Sequence, residues 1–276
     1  MGRLKTILSS RPARLLLLCW RTAYPLLVYM LAGYLALYGG LYACAIRYGF
    51  FSGERENALA RAYGTVSSNL LLVTSLAALL ALPLLLFFLR RDRRREQRGA
   101  PMALPLAPLA AALLAAGGGF AYSLNFLMDR LGFLEMPSFQ EAGEILYGEG
   151  LLIQLLGPGM VIPLVEELVF RGLAFSRLRR KMGFWPAALI SALIFGAFHG
   201  NLTQGIYAFL LGLLIAWVYE RTGRFWTCVL FHAAANLLSI LASNFTDEFS
   251  IALAVACGAA AVAGSAWIGQ KTAKRL

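Results

Sequence analysis

Three ionisable side chains lie inside a long apolar stretch of the chain. Glu166 and Glu167 are adjacent, and Arg171 follows four residues after Glu167. Charged groups at membrane depth are costly, so they indicate a functional site by default. Residues four apart share a helical face, which pairs Glu167 with Arg171. Glu166 is rotated by about 100° from its neighbour, and it is therefore the candidate general base or acid.

The chain contains only two histidines, His199 and His232, and both lie in apolar segments downstream of the glutamates. A lone histidine in an apolar helix is more often a packed core residue, but here the whole histidine complement falls near the acidic pair. Asn236 lies four residues after His232, so the two side chains can donate hydrogen bonds to a developing oxyanion. Glu166 and His199 can share and activate a water molecule. These four residues predict water attack on an amide.

Three motifs in these segments resemble those of the CPBP family of intramembrane proteases, in the family's order. This family includes CAAX prenyl endopeptidases, bacteriocin-processing enzymes and abortive-infection proteins. The motifs are E-E-x-x-x-R at Glu166, Glu167 and Arg171, F-x-x-x-H at Phe195 and His199, and H-x-x-x-N at His232 and Asn236. The triplet 221–223, Arg-Thr-Gly, also resembles the family's connection before the last motif. The resemblance covers about residues 150–245.

The resemblance implies a CAAX-protease-like endopeptidase that hydrolyses a peptide bond of a membrane-associated peptide or protein. It implies that Glu166 and His199 activate the water and that His232 and Asn236 form the oxyanion hole. The residues expected to support the site are Glu167, Arg171 and Phe195.

A metal ion is the open question about this site. Family members are often labelled metalloproteases, and Glu166, His199 and His232 are the ligands we would assign to zinc. The spacing is not H-E-x-x-H, and the candidate ligands lie far apart in sequence. We therefore favour a glutamate-dependent mechanism that requires no cofactor.

Other chemistries and functions also fit parts of the pattern. Cys228, His232 and Asn236 recur every four residues, which allows a cysteine protease, although neighbours on one helical face do not easily converge on one carbonyl. A membrane immunity or regulatory protein of the same fold would need no catalysis. A proton-coupled transporter could use the charged residues as a relay, but the two halves of the chain show no internal repeat.

The elements that must position these residues are membrane helices. Apolar residues make up 59% of the 276 and charged residues 14%, against about 25% charged in soluble domains. The net charge of +11 is spread in short clusters between apolar runs, which favours a lipid bilayer over nucleic acid as the partner. The composition predicts an all-α polytopic bundle, and we expect it in a bacterial cell membrane.

A membrane-spanning helix needs about 20 apolar residues, and eight stretches qualify. They are 22–46, 66–89, 102–127, 150–176, 184–201, 203–219, 226–244 and 250–268. Most basic residues fall on one side of this alternating topology, which predicts that both termini are cytoplasmic. These basic clusters lie at 3–21, 90–98, 177–181, 221–224 and 271–275.

The spans divide the chain into three regions. Residues 1–149 hold the first three helices and an acidic outer loop from Asp129 to Glu149, which is a solvated loop, a partner surface or a lid. Residues 150–245 hold the catalytic core helices 4–7, and residues 246–276 hold the last helix and a basic tail.

Two features of the core bear on whether the site can assemble. Pro163 should free the carbonyl of Gly159 and kink the fourth helix. Glu166 lies about 16 Å from the cytoplasmic flank, whereas His199 falls near the far end of the fifth span. Their convergence requires the fifth helix to tilt or to begin deeper in the membrane.

Overall fold

The computed structural model describes residues 11–53, 55–94, 103–246 and 248–273, and these residues form helices and no β-strand. This confirms the predicted all-α polytopic fold. The helices are α1 Arg11–Arg47, α2 Arg55–Ser67, α3 Leu70–Arg93, α4 Leu106–Arg130, α5 Pro137–Tyr147, α6 Leu151–Arg179, α7 Phe184–Phe198, α8 Leu202–Thr222, α9 Phe225–Phe245 and α10 Ile251–Lys271.

Seven of these helices are long and apolar enough to cross a membrane, and they match seven of the eight predicted spans. The remaining stretch, predicted at 184–201, forms only the 15-residue α7. At 1.5 Å per residue α7 is about 22 Å long, which is shorter than the hydrocarbon core of about 30 Å. The chain is a multi-pass integral membrane protein, and the orientation of its termini stays a prediction.

Helix α6 lies at the centre of the bundle and is the most buried of the seven spans. It packs against α1, α3, α7 and α9. Every residue from Val165 to Leu178 is buried, so this half of α6 is enclosed by protein on all sides. A helix in this position can carry charged side chains because neighbouring helices, rather than lipid, surround them.

Two stretches of α6 have the wider turn of a π-helix, Gly157–Val161 and Leu168–Phe175. They bracket one α-helical segment, Ile162–Glu167, which carries both glutamates. Such wide turns are rare and frequently occur at functional sites. The sequence predicted a kink here, which stays a prediction, and the structure shows a change of helical register at this place.

This register determines which carbonyl Pro163 leaves unpaired. The amide of Ile162 bonds to the carbonyl of Gly157, five residues earlier. In the same register, the amide of residue 163 would bond to the carbonyl of Pro158, but Pro163 has no N–H. Asn236 Nδ2 donates to the Pro158 carbonyl instead, at 2.8 Å. The predicted acceptor, the Gly159 carbonyl, was off by one residue because the prediction assumed an α-helical register.

Helices α7 and α8 form a tight hairpin that carries His199 at its turn. A Cβ atom on Gly196 would lie 2.6 Å from the carbonyl oxygen of Gly205, so the two backbones touch. Helix α8 has 21 residues against the 15 of α7. The two helices share a turn, and α7 is the shorter one. The first residue of α7 therefore lies about 9 Å farther from the basic end of the bundle than the last residue of α8. This is the deeper start that the convergence of the site required.

A buried ion pair joins α3 to α6 at the basic end. Arg177 Nε lies 2.6 Å from Asp92 Oδ2, and both side chains are buried. The Tyr24 hydroxyl of α1 accepts hydrogen bonds from Arg177 at 2.6 Å and from Arg91 at 2.8 Å. These contacts hold α1, α3 and α6 together, so the described part of the basic cluster 90–98 also has a structural role. The basic residues outside the described part are Arg3, Lys5, Arg95, Arg98, Lys274 and Arg275.

Candidate active site

A chain of three buried groups connects α6 to α9. Glu167 Oε1 accepts a hydrogen bond from Arg171 Nη1 at 2.9 Å, which confirms the predicted ion pair. The same oxygen lies 2.8 Å from His232 Nδ1, a contact that the sequence did not predict. Because a carboxylate only accepts hydrogen bonds, Nδ1 carries the proton. Glu167 thereby fixes which ring nitrogen of His232 faces the site.

Glu166 lies on the other side of His232. Its Oε2 is 3.8 Å from His232 Nε2, which is longer than a hydrogen bond, and the residue is 6% exposed. The two glutamates therefore flank one imidazole, with Glu167 bonded to it and Glu166 just beyond reach. This agrees with the predicted division between a paired glutamate and a free one.

All four predicted catalytic residues line one cavity of about 310 Å³. Glu166 comes from α6, His199 from the turn after α7, and His232 and Asn236 from α9. Helices α3, α5 and α8 complete its walls. The structure therefore brings these residues together, and His199 shares the cavity with Glu166 as the water-activation hypothesis requires.

Phe195, the predicted supporting residue, lies between the two histidines. Its ring centroid is 4.9 Å from that of His199 and 5.6 Å from that of His232, and both pairs are nearly perpendicular. The Arg171 guanidinium lies over the same ring at 4.5 Å. One aromatic side chain thus spaces the imidazoles and provides a face for the buried cation.

His199 and Asn236 each use one group to bind the backbone. His199 Nδ1 lies 2.8 Å from the carbonyl of Phe195, so Nδ1 donates and Nε2 is the free ring nitrogen. Asn236 donates one amide N–H to the carbonyl of Pro158, and its second N–H and its acceptor oxygen stay free for other partners. Both side chains still line the cavity.

Gly212 of α8 is a site residue that sequence reasoning missed. A Cβ atom there would lie 2.9 Å from Arg171 Nη2 and 3.2 Å from Phe195 Cδ1. The absence of a side chain makes room for the guanidinium, whose Nη2 has no hydrogen-bond partner among the described residues. A single glycine in an apolar helix gives no signal of such a contact.

The residues present do not form a metal-binding set. Glu166, His199 and His232, the predicted zinc ligands, share the cavity, but no three His, Cys, Asp or Glu side chains of the described residues cluster closely enough to hold an ion. We therefore assign no chemical step to a metal, and zinc at this site is an untested alternative.

Cys228 does not line the cavity that holds the two histidines. It is fully buried in the apolar core around α4, α8 and α9, and it is absent from the walls of the cavity that holds His232 and Asn236. The cysteine-protease alternative therefore has no nucleophile at the place where a substrate would bind.

Comparisons with known proteins support the resemblance that the motifs indicated. Residues 148–238 match the family model described as type II CAAX prenyl endopeptidase Rce1-like. The chain is 29% identical over 123 residues to "Putative membrane peptidase YdiL" of Bacillus subtilis (strain 168), covering 45% of this chain and 49% of that protein. No solved structure matches.

A second relative matches a shorter segment. The chain is 32% identical over 92 residues to "UPF0177 protein YxdF" of Lactococcus lactis subsp. lactis (strain IL1403), covering 33% of this chain and 50% of that protein. The chain spans about half the length of the curated relatives it matches. The family match contains all three motifs, and the similarity to a membrane protease family is therefore confirmed for the region that carries the four predicted catalytic residues.

Proposed function

We propose that this protein is an intramembrane endopeptidase that hydrolyses a peptide bond of a membrane-associated peptide or protein. The observation that carries the proposal is the single cavity lined by Glu166, His199, His232 and Asn236. A carboxylate, two imidazoles and a carboxamide supply a base, proton carriers and hydrogen-bond donors, which are the groups that amide hydrolysis needs. The family match and the name of the Bacillus relative support the same reaction class.

The charge balance of the site supports acid–base chemistry. Glu166, Glu167, Arg171 and His232 are all buried, and they comprise two acids, one permanent cation and one titratable ring. An uncompensated buried charge is costly, so the neutral state of this group holds one extra proton, on Glu166 or on His232. The 3.8 Å between these two side chains is short enough for that proton to pass between them after a small movement.

The reaction follows from these positions. Glu166 takes a proton from a water molecule, with His199 as its partner, and the water oxygen forms a bond to the substrate carbonyl carbon. The electron pair of the C=O bond moves to the oxygen, where the free N–H of Asn236 and the protonated Nε2 of His232 stabilise the charge. The electron pair on the oxygen then re-forms the C=O bond, the C–N bond breaks with its electron pair moving to nitrogen, and the proton held by Glu166 passes to the leaving amine.

Glu167 and Arg171 act through His232 and do not touch the substrate. Glu167 accepts from Nδ1 of the ring and stabilises the imidazolium when it forms, in the way that a buried carboxylate orients a catalytic histidine. Arg171 holds the same carboxylate oxygen in place. Both are positioning residues.

A comparison of protein termini between cells that express the active and the substituted protein tests this proposal. Cells would express the unmodified chain, Glu166→Gln or Glu141→Gln, and the termini of membrane-associated proteins would be compared by mass spectrometry. Glu141 lies exposed on α5, so its substitution is the matched control. We expect a set of new termini that disappears with Glu166→Gln and remains with Glu141→Gln. An unchanged set of termini and full cellular function with Glu166→Gln would favour a non-catalytic membrane factor of the same fold.

A further inference from the structure

A second cavity, here called the outer chamber, adjoins the cavity that holds Glu166. It has a volume of about 230 Å³ and is lined mainly by α4, α5, α8 and α9. His199 and Asn236 line both cavities, so the two spaces meet at the proposed reaction centre. A peptide whose carbonyl lies beside Asn236 has this chamber as its neighbouring space.

The outer chamber contains no charged side chain from the described part of the chain. This is unexpected because α5 and the loop around it carry most of the acidic residues of this region. Helix α5 presents Phe139, Gly143 and Leu146 to the chamber, whereas Glu141 and Glu144 are exposed on its other face. The helix of the acidic outer loop therefore covers the chamber with an apolar inner surface and carries its acidic residues on the outside.

Two neutral polar side chains of the chamber, Asn125 and Ser239, hold each other in place. Asn125 Nδ2 of α4 donates to Ser239 Oγ of α9 at 2.9 Å, and Asn125 Oδ1 remains as an acceptor. Neutral amide and hydroxyl groups can bind a peptide backbone, but they do not compensate a charged side chain taken out of water. The chamber thus discriminates by charge.

The size of the chamber limits what it can hold. A water molecule occupies about 30 Å³, so the chamber has room for roughly one or two side chains of medium size. Apolar walls with a few fixed polar groups are typical of sites that bind small, mainly apolar groups.

We propose that the outer chamber is the subsite for substrate residues next to the scissile bond, that it accepts uncharged, mainly apolar side chains, and that Asn125 and Ser239 set this selectivity. The proposal rests on the proposed peptidase function because it assigns the chamber to the substrate of that site.

The test measures binding without turnover. The full-length Glu166→Gln protein in nanodiscs would be incubated with a randomised, end-blocked pentapeptide library, and retained peptides would be identified by mass spectrometry. We expect one position to favour Leu, Met, Phe or Val over charged residues by about tenfold or more. Adding Asn125→Asp introduces a carboxylate of the same shape, and the same position should then favour Lys and Arg. The matched control is Asn69→Asp, because Asn69 is exposed and lies outside both cavities.

A second variant covers the case in which Asn125→Asp does not fold. A Cβ atom on Gly143 would meet only the Tyr147 ring at 3.9 Å, so Gly143→Leu should fold and fill part of the chamber. We expect its library preference to shift from large to small apolar residues.

Unchanged selectivity in both chamber variants, or no position-specific selectivity in the parent, would overturn the proposal; a lipid chain occupying the chamber would give this result. If the peptides bind with the expected selectivity but the unmodified protein cleaves none of them, the peptidase function fails and the subsite does not.

Discussion

His232 Nδ1 lies 2.8 Å from Glu167 Oε1, the oxygen that also accepts a hydrogen bond from Arg171. One carboxylate oxygen therefore links α6 to α9 and determines that Nε2 is the ring nitrogen on the side of Glu166. The two adjacent glutamates have different tasks for this reason. Glu167 orients the imidazole, and Glu166 faces the cavity where a water molecule and a substrate can meet.

The first prediction concerns the Glu167–Arg171 pair. Glu167→Gln keeps the shape of the side chain but removes the carboxylate that is bonded to the buried Arg171 guanidinium, and breaking such a pair typically costs about 3–5 kcal/mol. The double variant Glu167→Gln with Arg171→Met should recover much of this stability, because the guanidinium that lost its direct partner is removed as well. Neither variant should recover cleavage, which we expect to fall at least about 100-fold because His232 loses its orienting carboxylate.

Thermal unfolding in detergent and cleavage rates would be measured side by side. Equal stability of the single and double variants would show that Arg171 is not held by Glu167 alone. Normal cleavage by either variant would show that Glu167 is not needed to orient His232.

The second prediction concerns Asn236 and Pro163. Asn236→Ala leaves the Pro158 carbonyl without its hydrogen bond, and an unsatisfied buried group costs about 1–3 kcal/mol. Adding Pro163→Ala restores a backbone N–H that can bond to Pro158. We expect thermal stability to recover in the double variant while cleavage stays low, because the oxyanion donor is still missing. Recovery of both quantities would mean that Asn236 is only a structural residue.

The sequence predicted which polar residues meet at the cavity, and only some of the contacts between them. Residue type and spacing, together with the family motifs, indicated Glu166, His199, His232 and Asn236, because polar groups in apolar helices are rare enough to stand out. Their catalytic roles stay a prediction. The Glu167–Arg171 pair followed from the four-residue repeat of a helix.

The contact between His232 and Glu167 depends on how α9 packs on α6, which local spacing does not encode. The π-helical turns of α6 also change which residues share a face, so an α-helical projection misassigned the freed carbonyl. The short α7 was not predicted because the span counted at 184–201 included His199, Gly200 and Asn201, which lie beyond the end of the helix at Phe198.

The third prediction concerns Gly212. A methyl group at this position would lie 2.9 Å from Arg171 Nη2 and 3.2 Å from Phe195, so Gly212→Ala must displace one of them. Overpacking of this kind costs about 1–3 kcal/mol, and we expect slower cleavage because Arg171 positions Glu167. The control is Gly39→Ala, where a Cβ atom meets nothing within 4 Å and the helix should gain up to about 1 kcal/mol. Unfolding temperatures that move equally in the two variants would argue against the close fit.

The fourth prediction contrasts two ion pairs near the basic end. Asp92 and Arg177 are both buried at 2.6 Å, so Asp92→Ala should cost about 3–5 kcal/mol. Glu220 and Arg179 form a partly exposed pair at 2.8 Å, and Glu220→Ala should cost at most about 1 kcal/mol. Chemical unfolding would measure both values. If the two variants lose the same free energy of unfolding, the buried pair does not hold the helices together more strongly than the exposed one.

The most direct measurement of the central claim is the cleavage rate of the purified protein in proteoliposomes. The probe is a quenched-fluorescence library of uncharged pentapeptides, and the variants are Glu166→Gln and the exposed control Glu141→Gln. We expect Glu166→Gln to lose about 10²–10⁴-fold in rate, as for removal of a general base, and Glu141→Gln to cleave about as fast as the unmodified protein. Cleavage by Glu166→Gln at the rate of the unmodified protein would show that Glu166 is not the base.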